Sequence, residues 1–125
     1  MLGDSPIIAF TATANPAEAM HFYRDILGLR LVAEDAFAVV FDAAGTTLRV
    51  AIIDKVVPPP YTILGWRVQD IVSTVRKLVA GGVVMERYGF MKQDQNGVWT
   101  SPSGAKVAWF KDPDGNLLSL TQFPE

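Results

Sequence analysis

The chain has 125 residues, the size of one ordinary domain, and half of them are hydrophobic, which is enough to fill a core. It contains no cysteine, which excludes disulfides, thiolate metal sites and a cysteine nucleophile. The net charge of −2 is spread along the sequence without a basic stripe, so a nucleic-acid partner is not expected.

No segment resembles a membrane span or a secretion signal. None reaches the roughly 18 consecutive apolar residues that a membrane-spanning helix needs. Residues 1–4 lack the basic region and apolar core that begin a signal peptide. Together with the absence of cysteine, these observations predict a cytoplasmic protein without a membrane partner.

The first half of the chain predicts one strand, one helix and three further strands. An apolar run over 6–14 predicts the first strand. Asn15 before Pro16, with Glu18 three residues beyond the asparagine, is typical of a capped helix start. Apolar residues then recur at helical spacing up to Gly28, a residue type that commonly ends helices. Further strands are predicted over 30–33, 36–42 and 46–53.

The second half repeats this pattern after a proline-rich linker. The three prolines at 58–60 cannot donate hydrogen bonds to a sheet and favour an extended spacer. A strand over 61–68 then precedes a helix that Asp70 caps and Gly81 and Gly82 close. Additional strands are predicted over 83–88, 98–101, 105–111 and 117–122, with a tight turn at 112–115.

This internal repeat predicts the fold class and the domain organisation. Two βαβββ modules, over about 6–57 and 61–123, are expected to form a single α+β domain of residues 1–125. The sheet is predicted to be mainly antiparallel and to curl around a cleft, with the helices packed on its other surface.

Two segments carry a resemblance to a known superfamily. They read FYRDILGL at 22–29 and DPDGNL at 112–117, one in each half of the chain. With the proline linker between them, the chain resembles the vicinal oxygen chelate superfamily, also called the glyoxalase/bleomycin resistance/dioxygenase superfamily. The resemblance implies the paired-module fold. It leaves open metal-dependent glyoxalases, epimerases, dioxygenases, thiol transferases and metal-free proteins that sequester antibiotics, because fold alone does not determine chemistry.

The resemblance also places the metal ligands of the family at four positions, on the first and last strand of each module. Catalytic members usually carry His, Glu or Gln there, because those side chains offer lone pairs to a divalent ion. In this chain the four positions are Ile8, Arg49, Ile63 and Ser119. A shift of one residue in any strand brings no useful ligand into place. The resemblance therefore predicts neither a metal ligand nor a cofactor.

Arg49 is the most informative of these four residues. It lies in an otherwise apolar run, where its guanidinium could replace the missing cation and bind a carboxylate or phosphate-like group. The alternative is that Arg49 lies on an edge or solvent face, or pairs with a carboxylate such as Asp42. The single histidine, His21, shares the polar side of helix one and is interpreted as a solvated surface residue.

Aromatic residues supply the other predicted ligand contacts. Strand alternation predicts that Trp66 and Trp109 face the helices, whereas Phe110 and Phe10 face the cleft. The loop 89–97 and Trp99 either line a small-molecule pocket or cover the end of the sheet. The predicted ligand-binding residues are therefore Arg49, Phe10, Phe90, Met91, Trp99, Phe110 and Ser119.

Three functions follow from these observations, in order of preference. The first is a metal-free binding protein, expected to be a homodimer, that holds a small, partly aromatic or anionic molecule. The second is an enzyme, either a metal-dependent lyase or dioxygenase or a metal-free enzyme in which Arg49 polarises a carbonyl. The third is a scaffold or sensor domain whose cleft is filled. Because the usual ligands are missing, a typical glyoxalase I or extradiol dioxygenase is not expected.

Overall fold

The computed structural model describes residues 1–125, and the chain divides into two units, Met1–Pro58 and Pro59–Glu125. The boundary between them falls within the proline run at 58–60, which cannot contribute backbone donors to either sheet. Each unit contains one four-stranded sheet and one helical region, so the α+β class with two similar modules is confirmed. None of the helices combines the length and apolar character needed to span a membrane.

The first unit contains strands β1–β4 and helix α1. A short 3-10 turn over Leu2–Asp4 precedes them, and α1 continues into a π-helical turn over His21–Ile26. The elements are β1 (Ile8–Thr13), α1 (Pro16–Met20), β2 (Arg30–Glu34), β3 (Ala38–Ala43) and β4 (Thr46–Ile52). The order in sheet 1 is β1-β4-β3-β2, with β1 parallel to β4 and the other pairs antiparallel.

The helical region formed by α1 and the π-helical turn begins and ends as the sequence predicts, although only its first five residues are α-helical. The Asn15 side chain accepts a hydrogen bond from the backbone N–H of Glu18 at 3.2 Å. At the other end, the N–H of Leu29 donates to the carbonyl of Tyr23 at 2.9 Å, while Gly28 adopts a φ of 79°. The widened final turn includes a bond from Leu27 N–H to the carbonyl of Phe22, five residues back.

The core of the first unit lies between this helical region and one face of sheet 1. Tyr23 contributes the largest buried side chain, and its ring lies 5.8 Å from that of Phe41 on β3. The remaining buried apolar residues of the unit include Ala19, Phe22, Val39, Leu48 and Val50. These side chains supply the apolar burial that holds the helix on the sheet.

The second unit repeats the arrangement with a longer helix and a shorter edge strand. Its elements are β5 (Leu64–Arg67), α2 (Ile71–Ala80), β6 (Trp99–Thr100), β7 (Lys106–Lys111) and β8 (Leu117–Gln122). The order in sheet 2 is β5-β8-β7-β6, with β5 parallel to β8. As predicted, Asp70 caps α2, its carboxylate accepting from the N–H of Ser73 at 3.1 Å.

One predicted strand, 83–88, does not form. Only an isolated bridge between Met85 and Phe110 remains there. The side chain of Gln93 takes the place of a neighbouring strand, accepting from Tyr88 N–H at 2.7 Å and donating to the carbonyls of Glu86 and Gly97 at 3.0 and 2.8 Å. A side chain that satisfies backbone groups in this way favours an irregular segment over a regular ladder.

The predicted turn at 112–115 is confirmed and joins β7 to β8. Asp112 accepts hydrogen bonds from the N–H groups of Asp114 and Asn116 at 3.0 and 2.9 Å. Gly115 has a φ of 87°, which a side chain would disfavour. This turn fixes the register of the hairpin, in which Lys111 pairs with Leu117.

Two buried threonines on β1 allow a matched stability test. The Thr11 hydroxyl is buried without a hydrogen-bond partner, whereas that of Thr13 accepts from the N–H of Asn15 at 3.0 Å. We expect Thr11→Val to raise the free energy of unfolding by about 1 kcal/mol and Thr13→Val to lower it by about 1 kcal/mol. Urea unfolding of both variants measures this, and equal effects of the two substitutions would contradict the hydrogen-bond assignment.

Candidate functional site

Helix packing leaves one face of each sheet turned away from its own helix, and we call this the far face. Paired residues on neighbouring strands point to the same side of a sheet, so the register assigns the residues to each face. In sheet 1, Arg49 pairs with Phe10 on β1 and with Val40 on β3. In sheet 2, Ser119 pairs with Gly65 on β5 and with Trp109 on β7.

The four positions at which the resemblance places metal ligands all lie on the far faces of their own sheets. Ile8 has the same strand parity as Phe10, which pairs with Arg49. Ile63 directly precedes β5, and its N–H donates to the carbonyl of Leu117, two residues before Ser119. Within each unit, these positions therefore share one sheet face, as the sequence predicts.

The donor set at these positions does not fit a divalent ion. Two of the four side chains are isoleucines without lone pairs, and a guanidinium carries a positive charge that repels a metal ion. No group of three or more His, Asp or Glu side chains elsewhere in the chain could hold a metal. No catalytic step through a metal is derived from these residues.

Arg49 is half-buried on the far face of sheet 1 and makes no hydrogen bond or ion pair. Asp42, the partner that the sequence offered as an alternative, instead lies 3.8 Å from the guanidinium of Arg30. The neighbours of Arg49 across the two adjoining strands, Phe10 and Val40, are apolar. The guanidinium N–H groups of Arg49 are therefore not used by another side chain or by the backbone.

Asp35 is a carboxylate that senses the charge of Arg49. It accepts hydrogen bonds from the N–H groups of Phe37 and Ala38 at 2.7 and 3.0 Å. These two bonds lower the pKa of Asp35, and the positive charge of Arg49 adds a smaller contribution in the same direction. Both backbone bonds are accepted by one oxygen, Oδ1, and no hydrogen bond joins Asp35 to Arg49.

An aromatic cluster surrounds the far face of sheet 2. The Trp109 ring lies 6.3 Å from the ring of Trp99 and 5.6 Å from that of Tyr88, and Phe90 follows at 5.7 Å from Tyr88. Burial raises the pKa of Tyr88, and the negative charge of Glu86 adds to this effect. These rings form an apolar surface beside the hydroxyl of Ser119.

Two predictions about strand β7 are wrong. Phe110 is fully buried on the helix side of sheet 2, with its ring 6.4 Å from that of Trp66, so it does not lie on the far face. Trp109 lies on the far face instead of facing the helix. The offset is one residue, and one residue reverses the direction of every side chain in a strand. The turn at 112–115 would have given the correct register. Counting back from the pair Lys111 and Leu117, which flanks the turn, places Trp109 opposite Ser119.

The loop 89–97 and the neighbouring Trp99 are predicted to contribute three ligand contacts. Trp99 lines a pocket of about 290 Å³ together with Lys92, Gln93, Asp94, Val98 and Thr100. Met91 is half-buried and Phe90 is 83% exposed, and neither lines this pocket. Of these three residues only Trp99 lines the pocket, although Phe90 belongs to the same aromatic cluster through Tyr88.

His21 lies on the exposed side of the helical region, as the sequence predicts. Its Nδ1 lies 3.0 Å from Asp25, whose carboxylate also accepts from Arg24 at 2.9 Å. The hydrogen bond from Arg24, followed by that from His21, lowers the pKa of Asp25. This exposed cluster lacks a third side chain with which it could hold a metal ion.

The chain matches one protein family and a group of solved structures. The family model for the glyoxalase/bleomycin resistance protein/dioxygenase superfamily matches residues 8–120. Among solved structures, a member of that superfamily from Sphaerobacter thermophilus is 22% identical, covers 98% of this chain and 99% of its own, and has a TM-score of 0.75. A glyoxalase family protein from Enterococcus faecalis is 21% identical, with 97% and 99% coverage and a TM-score of 0.75.

A lactoylglutathione lyase from Agrobacterium tumefaciens also shares the fold, at 17% identity, with 96% and 95% coverage and a TM-score of 0.74. No curated protein matches the chain. Since all three identities are below 25%, these structural similarities establish the fold alone.

The close approach of β5 to Ser119 gives a test of the far face of sheet 2. A Cβ added to Gly65 would lie 2.8 Å from the Ser119 hydroxyl oxygen and 3.3 Å from its carbonyl oxygen. We expect Gly65→Ala to lower the free energy of unfolding by about 1 kcal/mol through this crowding. The loss in free energy of unfolding caused by Gly65→Ala should be smaller in a Ser119→Ala background, where the crowding hydroxyl is absent. A double-mutant cycle in urea measures the coupling, and identical costs in the two backgrounds would contradict this packing.

Proposed function

The chain belongs to the glyoxalase/bleomycin resistance protein/dioxygenase superfamily, and from this premise we propose that it binds a small, partly aromatic anion without a metal ion. The proposal assigns the anionic group of the ligand to Arg49. It assigns the aromatic part to the apolar side chains beside Arg49 on the far face of sheet 1. No reaction is part of the proposal.

The observation that carries this proposal is the unpaired state of Arg49. A buried arginine ordinarily pairs with a carboxylate, and the half-buried Arg49 has lost part of the hydration that would otherwise compensate its charge. Arg49 has no such partner, and Asp42 is already paired with Arg30. A ligand carboxylate would supply the missing charge and could accept two parallel N–H bonds from the guanidinium.

The neighbours of Arg49 favour a ligand with an apolar ring. Phe10 pairs directly with Arg49 and has 58% of its surface exposed, although it is a large hydrophobic residue. Ile8, on the same face, is 55% exposed. An aromatic ring held against these side chains would remove apolar surface from water at the same time as the arginine binds the anion.

In the second unit, Trp99 and Ser119 stay predicted ligand contacts. Trp99 lies in the aromatic cluster, and the hydroxyl of Ser119 lies on the same far face. Phe90 and Met91 are weaker candidates because neither lines the pocket that contains Trp99. The expected homodimer and cytoplasmic location stay predictions from the sequence.

Removing the charge of Arg49 tests the proposal directly. We expect naphthoate to bind the parent protein, and the uncharged naphthalenemethanol to bind more weakly, in isothermal titration calorimetry. Arg49→Gln should weaken naphthoate binding about tenfold, because a hydrogen-bonded charge pair is lost. The naphthoate affinity of Arg49→Lys should lie between those of the parent and of Arg49→Gln, because an ammonium retains the charge but not the planar donor geometry of a guanidinium.

The matched control is Arg24→Gln, which removes the same charge from the exposed helical region of the same unit. It should leave naphthoate affinity unchanged. The proposal fails if the parent does not bind naphthoate, if the acid and the alcohol bind equally, or if Arg24→Gln weakens binding as much as Arg49→Gln.

Metal content gives a second and independent test. We expect the purified protein, after incubation with nickel, zinc, manganese and ferrous iron and removal of the excess, to retain far less than one equivalent of each ion. The reason is the poor donor set at Ile8, Arg49, Ile63 and Ser119. Elemental mass spectrometry measures the content, and a full equivalent of any ion would overturn the metal-free proposal.

A further inference from the structure

A groove in the second unit lies outside both far faces. It runs between the C-terminal half of α2 and the irregular segment that follows the helix, and has a volume of about 550 Å³. This volume falls within the range of small-molecule pockets. The lining residues are Val75, Arg76, Val79, Ala80, Val83, Val84, Met85, Arg87, Gln95 and Asn96.

The floor and walls of the groove are apolar and incompletely covered. Val75 and Val83 are buried and form the base, whereas Val79 and Val84 are 53% and 78% exposed. The exposure of Val79 is unusual within α2, whose other large apolar residues are buried or half-buried. An apolar ligand body in the groove would remove this surface from water.

The charge of the groove has one sign. Arg76 and Arg87 are its charged residues, and no carboxylate lines it. Arg87 is held in place by a hydrogen bond of 2.9 Å from its guanidinium to the carbonyl of Gln95. Arg76 is exposed and makes no hydrogen bond or ion pair, so its guanidinium is available to a ligand.

We propose that this groove binds an amphipathic carboxylate, with its hydrocarbon body against Val79 and Val84 and its carboxylate between Arg76 and Arg87. The combination of an apolar base with two guanidiniums and no acid is complementary to such a molecule. An uncharged hydrocarbon would leave the arginines unused, and a cation would be repelled. The inference goes beyond the proposed function, since it concerns the helix side of the second unit and does not involve Arg49.

Octanoate and octanol are the probes, because they share most of their apolar chain and differ in charge. In amide NMR spectra of the 15N-labelled full chain, octanoate should shift the signals of the groove residues saturably, and octanol should bind about tenfold more weakly. Arg76→Gln should weaken octanoate binding about tenfold, because a charged hydrogen bond to the carboxylate is lost. Lys77→Gln is the matched control, since Lys77 is the adjacent exposed cation on α2 and does not line the groove.

The spectra also distinguish this site from the one around Arg49. Arg49→Gln should leave the octanoate-induced shifts in the groove unchanged, so failure of either site leaves the other testable. The proposal is overturned if octanoate shifts no groove amide, if octanol binds as tightly, or if Lys77→Gln weakens binding as much as Arg76→Gln. It is also overturned if the groove signals move with protein concentration alone and octanoate adds nothing, which would indicate a second copy of the chain.

Discussion

The burial of one sheet face by one helical region determines most of what each unit can do. In the first unit Tyr23 and Phe41 anchor this contact, and in the second unit Ile71, Val75 and Leu78 of α2 face buried residues of β7 and β8. Once one face is buried, strand alternation places every second side chain on the other face. The chemistry of the far faces is therefore a consequence of how the helices pack.

The two units use equivalent far-face positions for different chemistry. In the first unit the central strand presents Arg49 without a partner, next to apolar side chains. In the second unit the equivalent position is Ser119, beside a glycine and within an aromatic cluster. Neither arrangement offers the lone pairs that a divalent ion needs, and the proposed anion site uses only Arg49 and the apolar side chains on its own sheet.

Several features could be predicted from the sequence because they depend on neighbouring residues. The caps at Asn15 and Asp70 and the turn closed by Asp112 are local hydrogen-bond patterns, and all three are confirmed. The predicted strand over 83–88 was wrong because Gln93, a residue further along the chain, takes up its backbone hydrogen bonds. A prediction from periodicity does not include a side chain that bonds to backbone groups five and seven residues away.

The sequence by itself determined the repeat, the α+β class, the helix ends and the residue types at the four far-face positions, since these depend on composition and short-range spacing. Only the tertiary structure decided that Arg30, not Arg49, pairs with Asp42, and that Gln93 replaces the strand predicted over 83–88. The groove beside α2 could also be found only from the tertiary structure, because Arg76 and Arg87 line it together only after the chain has folded back past the helix. These outcomes depend on strand register and side-chain distances, which are set by packing among residues far apart in the chain.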